Sequence, residues 1–356
     1  MVRGDWMGAC SRGVAFVVLV VAGLVLAGCR ATDLPLWSPG PVEPEACGVE
    51  KVRGIAYYRG PDFSNYRHRL DLFLPEGKKD FPVVVLVHGG AWVMGDNRCC
   101  GLYTAVAEWL AGQGIGVVVP NYRLSPFVKH PEHVRDVARA VAWTQDHIED
   151  YGGRPECMFL VGHSAGGHLV ALLATDETYL KEAGARPADI KGVVAVSGVY
   201  HIPPGKAEIT LGGSGPDAAG IEQLLPIRGA PVVTLPKSSL PGIPLGLNVY
   251  GPVFGKDPKV RAQASPINHV RQGLPPFLMF SAENDLPTLP HMAEEFHQAL
   301  IDHGCDARLI HVPARNHNSI FFSAISSDDS VARETVEFIR RHTTEMAEKT
   351  NDLAPR

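Results

Sequence analysis

The sequence predicts an α/β protein with a mostly parallel central sheet and helices on both faces of that sheet. Continuous β-branched runs such as "FPVVVLV" (residues 81–87) are typical of strands buried on both faces. Amphipathic helix patterns alternate with these runs along the chain, as α/β folds require. With 356 residues, of which 45% are hydrophobic and 20% charged, the chain can bury one large core.

The first two predicted strands alternate in polarity, which is typical of an antiparallel edge of the sheet. The segments that follow them are more continuously apolar and fit the buried centre. In chain order, the predicted strands are residues 52–58, 68–75, 81–90, 114–124, 157–162, 191–200, 275–285 and 306–313.

The predicted helices lie between these strands and carry apolar residues at helical spacing. In one of them Val134, Val137, Ala138 and Val141 recur on a single face. The predicted helices are residues 102–114, 131–148, 165–175, 289–304 and 330–343. Buried strands that alternate with such helices favour a parallel sheet built from crossover connections.

Residues 201–250 interrupt this alternation. They contain eight prolines and eight glycines and show no sustained period, which is unusual inside a compact domain. Apolar stretches such as "IEQLLPI" and "PVVTLP" indicate that the segment packs onto something. We predict a cap or lid over the carboxyl ends of the strands, and an irregular surface excursion is the alternative.

The N-terminus has the pattern of an export signal. Arg3 and Arg12 precede an apolar run, residues 14–28, that is short for a membrane span of about 20 residues. We therefore predict a signal peptide over residues 1–28. The ending "LAGC" resembles the lipobox of bacterial lipoproteins, which implies cleavage before Cys29 and attachment of acyl chains such as palmitate to Cys29.

This resemblance implies an exported protein anchored to a bacterial membrane through Cys29. Arg30 rather than aspartate follows Cys29, which favours the outer membrane if the cell is Gram-negative. After the anchor we expect a proline-rich flexible tether over residues 29–50, a folded domain over 51–345 and a C-terminal tail over 346–356.

Loss of Cys10 with the signal and lipidation of Cys29 leave an odd number of cysteines, so at least one stays free or pairs between chains. Cys47 is a candidate disulfide partner for the adjacent Cys99 and Cys100. The alternative is that all the remaining cysteines are reduced. They are Cys47, Cys99, Cys100, Cys157 and Cys305.

Charge and residue pattern disfavour two classes of partner. The formal net charge is −5 and no basic run occurs, so we expect no nucleic acid partner. His130, His133 and Asp136 have the side chains of metal ligands, but Pro131 and the helical pattern favour the solvated start of a helix. We therefore predict no metal site.

The stretch "LVGHSAGGHLVALL" predicts a nucleophile. Gly162, Ser164 and Gly166 form the pattern G-x-S-x-G between a predicted strand and a predicted helix. Such a sharp turn lifts the serine hydroxyl above the sheet and leaves no room for side chains two residues to either side. His163, inside the motif, is expected to be structural.

A serine hydroxyl needs a base and an acid, and in this kind of fold they follow it in the order acid, then histidine. Asp285 ends the strand of "FLMFSAEND", and His317 lies in the polar loop after "RLIHVP". Glu283 is a rival acid, but it is expected to face away. His311 is a rival base, but its position within the strand makes it less free to reach Ser164.

A glycine-rich loop, "VHGGAWVMGD" (residues 87–96), predicts an oxyanion hole after the third predicted strand. Fixed backbone N–H groups there can stabilise the charge that develops on a reacting carbonyl oxygen. We expect the donors to be Gly90, Ala91 and, after the nucleophile, Ala165. His88 and Gly89 are expected to support the loop.

Together these motifs resemble the α/β-hydrolase superfamily, and within it the small carboxylesterases. The motifs are "HGGAW", "NYRLSP", "GHSAGG", "ASPINHV" and "SAENDLP", and the resemblance covers about residues 50–345. The branch includes feruloyl/acetyl esterase-like proteins, isoprenylcysteine methylesterases and hormone-sensitive-lipase-like enzymes. Two departures leave the substrate open, namely the long segment 201–250 and "HGGA" in place of "HGGG".

The resemblance implies an α/β-hydrolase fold and a serine carboxylesterase that needs no metal or organic cofactor. It assigns the nucleophile to Ser164, the acid to Asp285 and the base to His317, with a small-molecule ester as substrate. An amidohydrolase similar to the arylformamidases is the alternative on the same residues. A binding protein that keeps the fold without the chemistry is a further alternative, because a fold alone does not establish a function.

Overall fold

A computed structural model of the protein describes residues 47–204, 209–211, 245–247 and 250–352. The predicted signal peptide, Cys29 and most of the predicted tether and cap lie outside the described residues. The export and membrane-anchor expectations therefore stay predictions. Within the described part of the chain, no helix is both long and apolar enough to span a bilayer.

Eight strands form the central sheet. They are β1 (Val49–Ala56), β2 (Arg69–Pro75), β3 (Phe81–Val87), β4 (Gly116–Pro120), β5 (Gly153–His163), β6 (Ile190–Val196), β9 (Phe277–Asn284) and β10 (Ala307–Asn316). Their spatial order is β1-β2-β4-β3-β5-β6-β9-β10. β2 runs antiparallel to both of its neighbours, β1 and β4, and the other pairings described in this sheet are parallel. The mostly parallel sheet and its antiparallel edge are therefore confirmed.

The helices lie between the strands as the alternation predicts. They are α1 (Leu102–Gly112), α2 (Glu132–His147), α3 (Ala165–Thr175), α4 (Thr178–Glu182), α5 (Gly251–Phe254), α6 (Pro258–Gln263), α7 (Leu289–Asp302), α8 (Ser319–Phe322) and α9 (Ser330–Asp352). Short 3₁₀ turns occur at Cys99–Gly101, Ile148–Tyr151, Pro187–Asp189 and Pro266–His269.

Both faces of the sheet are buried. Val84 and Leu86 of β3 and Phe159 of β5 share a core cluster with residues of α1 and α9. Val83 and Val85 point to the opposite face, because side chains alternate along a strand, and they are equally inaccessible to solvent. α3 packs against β3, β5 and β6 without entering that cluster, so it covers the second face.

Several elements begin or end at positions other than those predicted. β3 stops at Val87 and β6 at Val196, because the chain turns to positive φ at Gly90 (112°) and at Ser197 (48°). β5 begins at Gly153, four residues before the predicted start. β1 takes in the last two residues of the predicted tether, and α9 continues to Asp352, well into the predicted tail.

In the predicted cap, two short strands are described, β7 (Ile209–Leu211) and β8 (Leu245–Leu247), which pair antiparallel. The segment thus contains some regular structure that its sequence pattern did not predict. Its role as a cap stays a prediction.

Of the two alternatives left open for Cys47, the structure shows the reduced thiol. The Cys47 thiol donates to the carbonyl oxygens of Ala111 (3.3 Å) and Gly112 (3.4 Å), at the end of α1. Cys99 and Cys100 precede the start of α1, and a helix of 11 residues separates its ends by about 16 Å, far more than a disulfide spans. Cys47 is therefore a free thiol, as are the buried Cys157 and Cys305.

Candidate active site

Ser164 lies at the sharp turn between β5 and α3. Its φ of 55° and ψ of −118° are strained for a residue other than glycine. A Cβ atom on Gly162 would lie 2.4 Å from the carbonyl oxygen of Gly166, and one on Gly166 would lie 2.1 Å from that of Val87. The turn therefore accepts only glycine at these two positions, as the G-x-S-x-G pattern predicts.

The structure brings Ser164, Asp285 and His317 together at the carboxyl ends of β5, β9 and β10. His317 Nε2 lies 2.9 Å from Ser164 Oγ, and His317 Nδ1 lies 2.7 Å from Asp285 Oδ1. A carboxylate only accepts hydrogen bonds, so Nδ1 carries the proton of the neutral ring and Nε2 accepts from the hydroxyl. The arrangement can take a proton from Ser164.

The carboxyl group of Asp285 is held from several sides. Besides His317, it accepts hydrogen bonds from Ser197 Oγ (2.5 Å) and from the N–H groups of Leu286 (2.8 Å) and Ala282 (3.2 Å). Burial alone would raise its pKa, but the hydrogen bonds from His317, Ser197 and Leu286, with the charge of His317, lower it. Asp285 therefore remains an ionised acceptor for His317.

Ser197 is a site residue that the sequence pattern did not identify. It follows β6 within "AVSGVY", where a serine in a turn carries no catalytic signature. Only the fold shows that β6 lies beside β9. This neighbourhood places the Ser197 hydroxyl on Asp285 Oδ2, the carboxylate oxygen that does not bind His317.

Replacing Ser197 with alanine is expected to lower kcat/KM for an ester substrate by about tenfold with little change in KM. A hydrogen bond to a charged group is worth about 1.5–3 kcal/mol, and only part of this reaches His317 through Asp285. Steady-state kinetics on the purified variant measure the effect. Ser281→Ala is a matched control, because the buried Ser281 hydroxyl on β9 has no hydrogen-bond partner among the described residues. Wild-type kinetics in Ser197→Ala would exclude this role.

The two rival residues lie away from Ser164. The carboxylate of Glu283 is exposed and accepts the N–H of Ala314 at 2.6 Å. His311 is exposed on β10, where its Nε2 lies 3.9 Å from a carboxylate oxygen of Glu294. Neither of them takes part in the hydrogen bonds that join Ser164, His317 and Asp285.

The glycine-rich loop passes directly beside Ser164. A Cβ atom on Gly89 would lie 3.1 Å from Ser164 Cβ. The next residues adopt positive φ, 112° at Gly90 and 50° at Ala91. Over the described residues, the N–H groups of Gly90, Ala91 and Ala165 have no hydrogen-bond acceptor. Three backbone donors thus remain available to a reacting oxygen, as an oxyanion hole requires.

His88 supports the start of this loop. Its ring stacks on Tyr122 with centroids 4.3 Å apart, and its Nδ1 lies 2.8 Å from the carbonyl oxygen of Gly89. The Tyr122 hydroxyl donates to the carbonyl oxygen of His88 at 3.0 Å. Burial lowers the pKa of His88 to about 4, so the ring is neutral and Nδ1–H is the donor to Gly89.

Trp92 ties the far side of the loop to α3. Its indole N–H donates to His168 Nδ1 at 3.2 Å, and His168 Nε2–H donates to the carbonyl oxygen of Ala264 at 2.7 Å. Burial lowers the pKa of His168 to about 4 and keeps its ring neutral. No local sequence pattern predicts this link, because its partners are far apart along the chain.

The three residues considered as metal ligands are buried rather than solvated at a helix start, which corrects the prediction, and they bind different protein partners. His133 lies 3.1 Å from the hydroxyl of Ser125, and Asp136 accepts two hydrogen bonds from the guanidinium of Arg123. His130 lies against Tyr179, with 3.4 Å between Nε2 and the hydroxyl. Across the described ranges, no group of three potential ligands could hold a metal ion.

Comparisons with known proteins find similarity to esterases. The family model described as BD-FAE matches residues 70–210. The chain is 31% identical to the probable carboxylic ester hydrolase LipM of Mycobacterium tuberculosis, over 57% of this chain and 41% of that protein. It is 30% identical to esterase LipC of the same organism, over 75% of this chain and 61% of that protein. The chain thus spans less than two thirds of the length of these relatives.

A solved structure shows the same architecture. Esterase B from Lactobacillus rhamnosis is 18% identical, with a TM-score of 0.69 over 95% of this chain and 97% of that one. At this identity the similarity establishes the fold alone.

Proposed function

Because this chain has the α/β-hydrolase fold, we propose that it is a serine carboxylesterase that hydrolyses small carboxylic esters. The observation that carries the proposal is the continuous hydrogen-bond path from Ser164 Oγ through His317 to Asp285. The named relatives support an ester as the bond that is cleaved.

In the first half of the reaction, His317 Nε2 takes the proton of the Ser164 hydroxyl while Oγ forms a bond to the ester carbonyl carbon. The electron pair of the carbonyl moves to its oxygen, which the N–H groups of Gly90, Ala91 and Ala165 stabilise. When this intermediate collapses, the bond to the alcohol oxygen breaks and the alcohol takes the proton from His317. An acyl group remains on Ser164.

In the second half, His317 takes a proton from water, whose oxygen attacks the acyl carbon. Collapse of this second intermediate returns the proton to Ser164 Oγ and releases the carboxylic acid. Asp285 keeps the His317 ring in the tautomer that accepts at Nε2, and its negative charge stabilises the imidazolium in both halves. The lowered pKa of Asp285 supports this role, since an ionised carboxylate is required.

Two measurements test the proposal. A fluorophosphonate probe is expected to label the protein at Ser164, located by mass spectrometry of the labelled peptide, because the probe reacts with activated serines. An aryl ester is expected to be hydrolysed faster than the matched aryl formamide. Faster hydrolysis of the formamide would assign an arylformamidase-like activity instead. A protein that is neither labelled nor active on esters would be a binding protein with this fold.

A further inference from the structure

Two buried polar side chains near Ser164 have no role in the mechanism above. Tyr103 lies on α1 and His163 lies in the nucleophile turn, and both are almost inaccessible to solvent. The N–H of Gly89 donates to the Tyr103 hydroxyl at 2.7 Å, and this hydroxyl lies 3.2 Å from His163 Nδ1. His163 Nε2 lies 2.7 Å from the carbonyl oxygen of His317. These contacts form one hydrogen-bond chain from the glycine-rich loop to the backbone of His317, the proposed base.

The direction of each hydrogen bond in this chain is determined. A carbonyl oxygen only accepts, so His163 Nε2 must carry the proton that is donated to His317. Burial, with the nearby His317, lowers the pKa of His163 to about 3, and the neutral ring then has an unprotonated Nδ1. Nδ1 accepts from the Tyr103 hydroxyl, and the oxygen of that hydroxyl accepts from Gly89. Every polar group of the chain is satisfied in this one arrangement.

The surrounding aromatic residues hold this chain rigidly. The His163 ring stacks on Phe321 of α8, with centroids 5.1 Å apart and planes 10° apart. Tyr103 packs against Phe321 and Phe322 at 5.5 and 5.3 Å. Because α8 directly follows the loop of His317, the same aromatic cluster supports both ends of the chain.

We propose that Tyr103 and His163 are positioning residues, which hold the oxyanion loop and the His317 loop in register with Ser164. The two loops are far apart in the sequence. The hydrogen bonds through Tyr103 and His163 link them beside the nucleophile turn. Gly89 at one end lies against Ser164 and precedes the two loop donors, Gly90 and Ala91. A shift at either end would move a donor or the base relative to the hydroxyl, and a misplacement of about 1 Å can cost a factor of about 10² in rate.

The proposal rests on the proposed esterase function, and conservative variants test it. Tyr103→Phe removes only the hydroxyl, and His163→Phe keeps a ring for stacking but removes both hydrogen bonds. Each is expected to lower kcat by about tenfold to a hundredfold with KM within about twofold of wild type. The double variant is expected to lose no more than the more impaired single variant, because both changes break the same chain. His163→Gln, which can still donate to the His317 carbonyl, should retain more activity than His163→Phe.

Tyr179→Phe is the matched control. Tyr179 is also buried with its hydroxyl near a histidine ring, His130, but neither contacts Ser164, Asp285 or His317. It should keep the kcat of the wild-type protein. Equal losses in Tyr103→Phe and Tyr179→Phe, or additive losses in the double variant, would overturn the positioning role.

A measurement on the unaltered protein removes dependence on variants that fold poorly. The ¹⁵N shifts of the His163 ring, assigned through bonds from the His163 backbone amide, are expected to report a neutral ring protonated at Nε2. A ring protonated at Nδ1 would contradict the hydrogen-bond chain. If the wild-type protein neither hydrolyses esters nor reacts with a fluorophosphonate, the esterase function fails and the positioning role with it. If it does both and the variants match it, only the positioning role fails.

Discussion

Replacing Ser164 with alanine is expected to lower kcat/KM for a short p-nitrophenyl ester by at least about 10⁴-fold, because loss of a nucleophile in a Ser-His-Asp site removes covalent catalysis. The fold should survive. Alanine at this turn has the same Cβ atom, and the backbone N–H that donates to the Val196 carbonyl at 2.9 Å remains. Circular dichroism and the thermal midpoint of the variant should therefore match those of the wild-type protein.

His317→Gln provides the companion experiment. It removes the base but leaves the oxyanion donors Gly90, Ala91 and Ala165 in place. Because the nucleophile and the base act as one unit, the double variant with Ser164→Ala should be no slower than either single variant. Ser281→Ala, which removes a buried serine hydroxyl away from this hydrogen-bond path, should leave kcat/KM unchanged. If Ser164→Ala retained a tenth of the wild-type rate, the nucleophile would lie elsewhere.

Local pattern was sufficient to predict the architecture. β3, β4 and β6 have apolar β-branched runs, and α2 has amphipathic spacing. In each case the burial of the element is visible in its own residue pattern. The nucleophile turn was also predictable, since close contact of Gly162 with Gly166 is a requirement within five consecutive residues. Order along the chain then located Asp285 and His317, and the structure brings both to Ser164.

The supporting residues were not predictable, because local pattern does not reveal contacts between residues far apart in the sequence. Ser197 meets Asp285 across 88 residues, Tyr103 meets His163 across 60, and Trp92 meets His168 across 76. Locally each is an ordinary residue: Ser197 lies in a turn, Tyr103 on a helix and Trp92 in a loop. Only the strand order, in which β6 lies between β5 and β9, brings the Ser197 turn to Asp285. The end of β6 was missed because it depends on the positive φ of Ser197, a conformation that a serine does not indicate in the sequence.

Acidification is expected to destabilise the fold steeply between about pH 6.5 and pH 4, through histidines that are buried in the neutral form. Burial is the main cause that lowers the pKa of each ring, to about 4 or about 3, from the usual histidine value of 6.5. The unfolded chain takes up these protons below about pH 6.5, whereas the folded chain does not until about pH 4 or lower. Stability is therefore fully present above pH 6.5 and is lost as the pH falls. The residues are His88, His130, His133, His163 and His168.

The size of the effect follows from the number of protons. Each histidine contributes about 1.4 kcal/mol of unfolding free energy per pH unit within this window. Five of them together contribute up to roughly 7 kcal/mol per unit, which is comparable to the whole stability of a typical domain. Carboxylates with lowered pKa values, such as Asp62 at about 2, add their loss only at lower pH. The midpoint of urea unfolding, measured from pH 7.5 to pH 4.5, should decrease throughout this range.

One variant identifies the histidines as the cause. His130→Gln removes a buried ring that lies outside the hydrogen-bond path of Ser164, so proton uptake on unfolding should fall by about one proton between pH 6 and pH 4.5. The matched control is His303→Gln, which replaces an exposed ring after α7. A stability that stays constant from pH 7 to pH 4.5, or a slope that His130→Gln does not reduce, would show that these rings are not held neutral. A constant stability would also contradict the neutral state of His163 and His168, through which Tyr103 and Trp92 support the oxyanion loop.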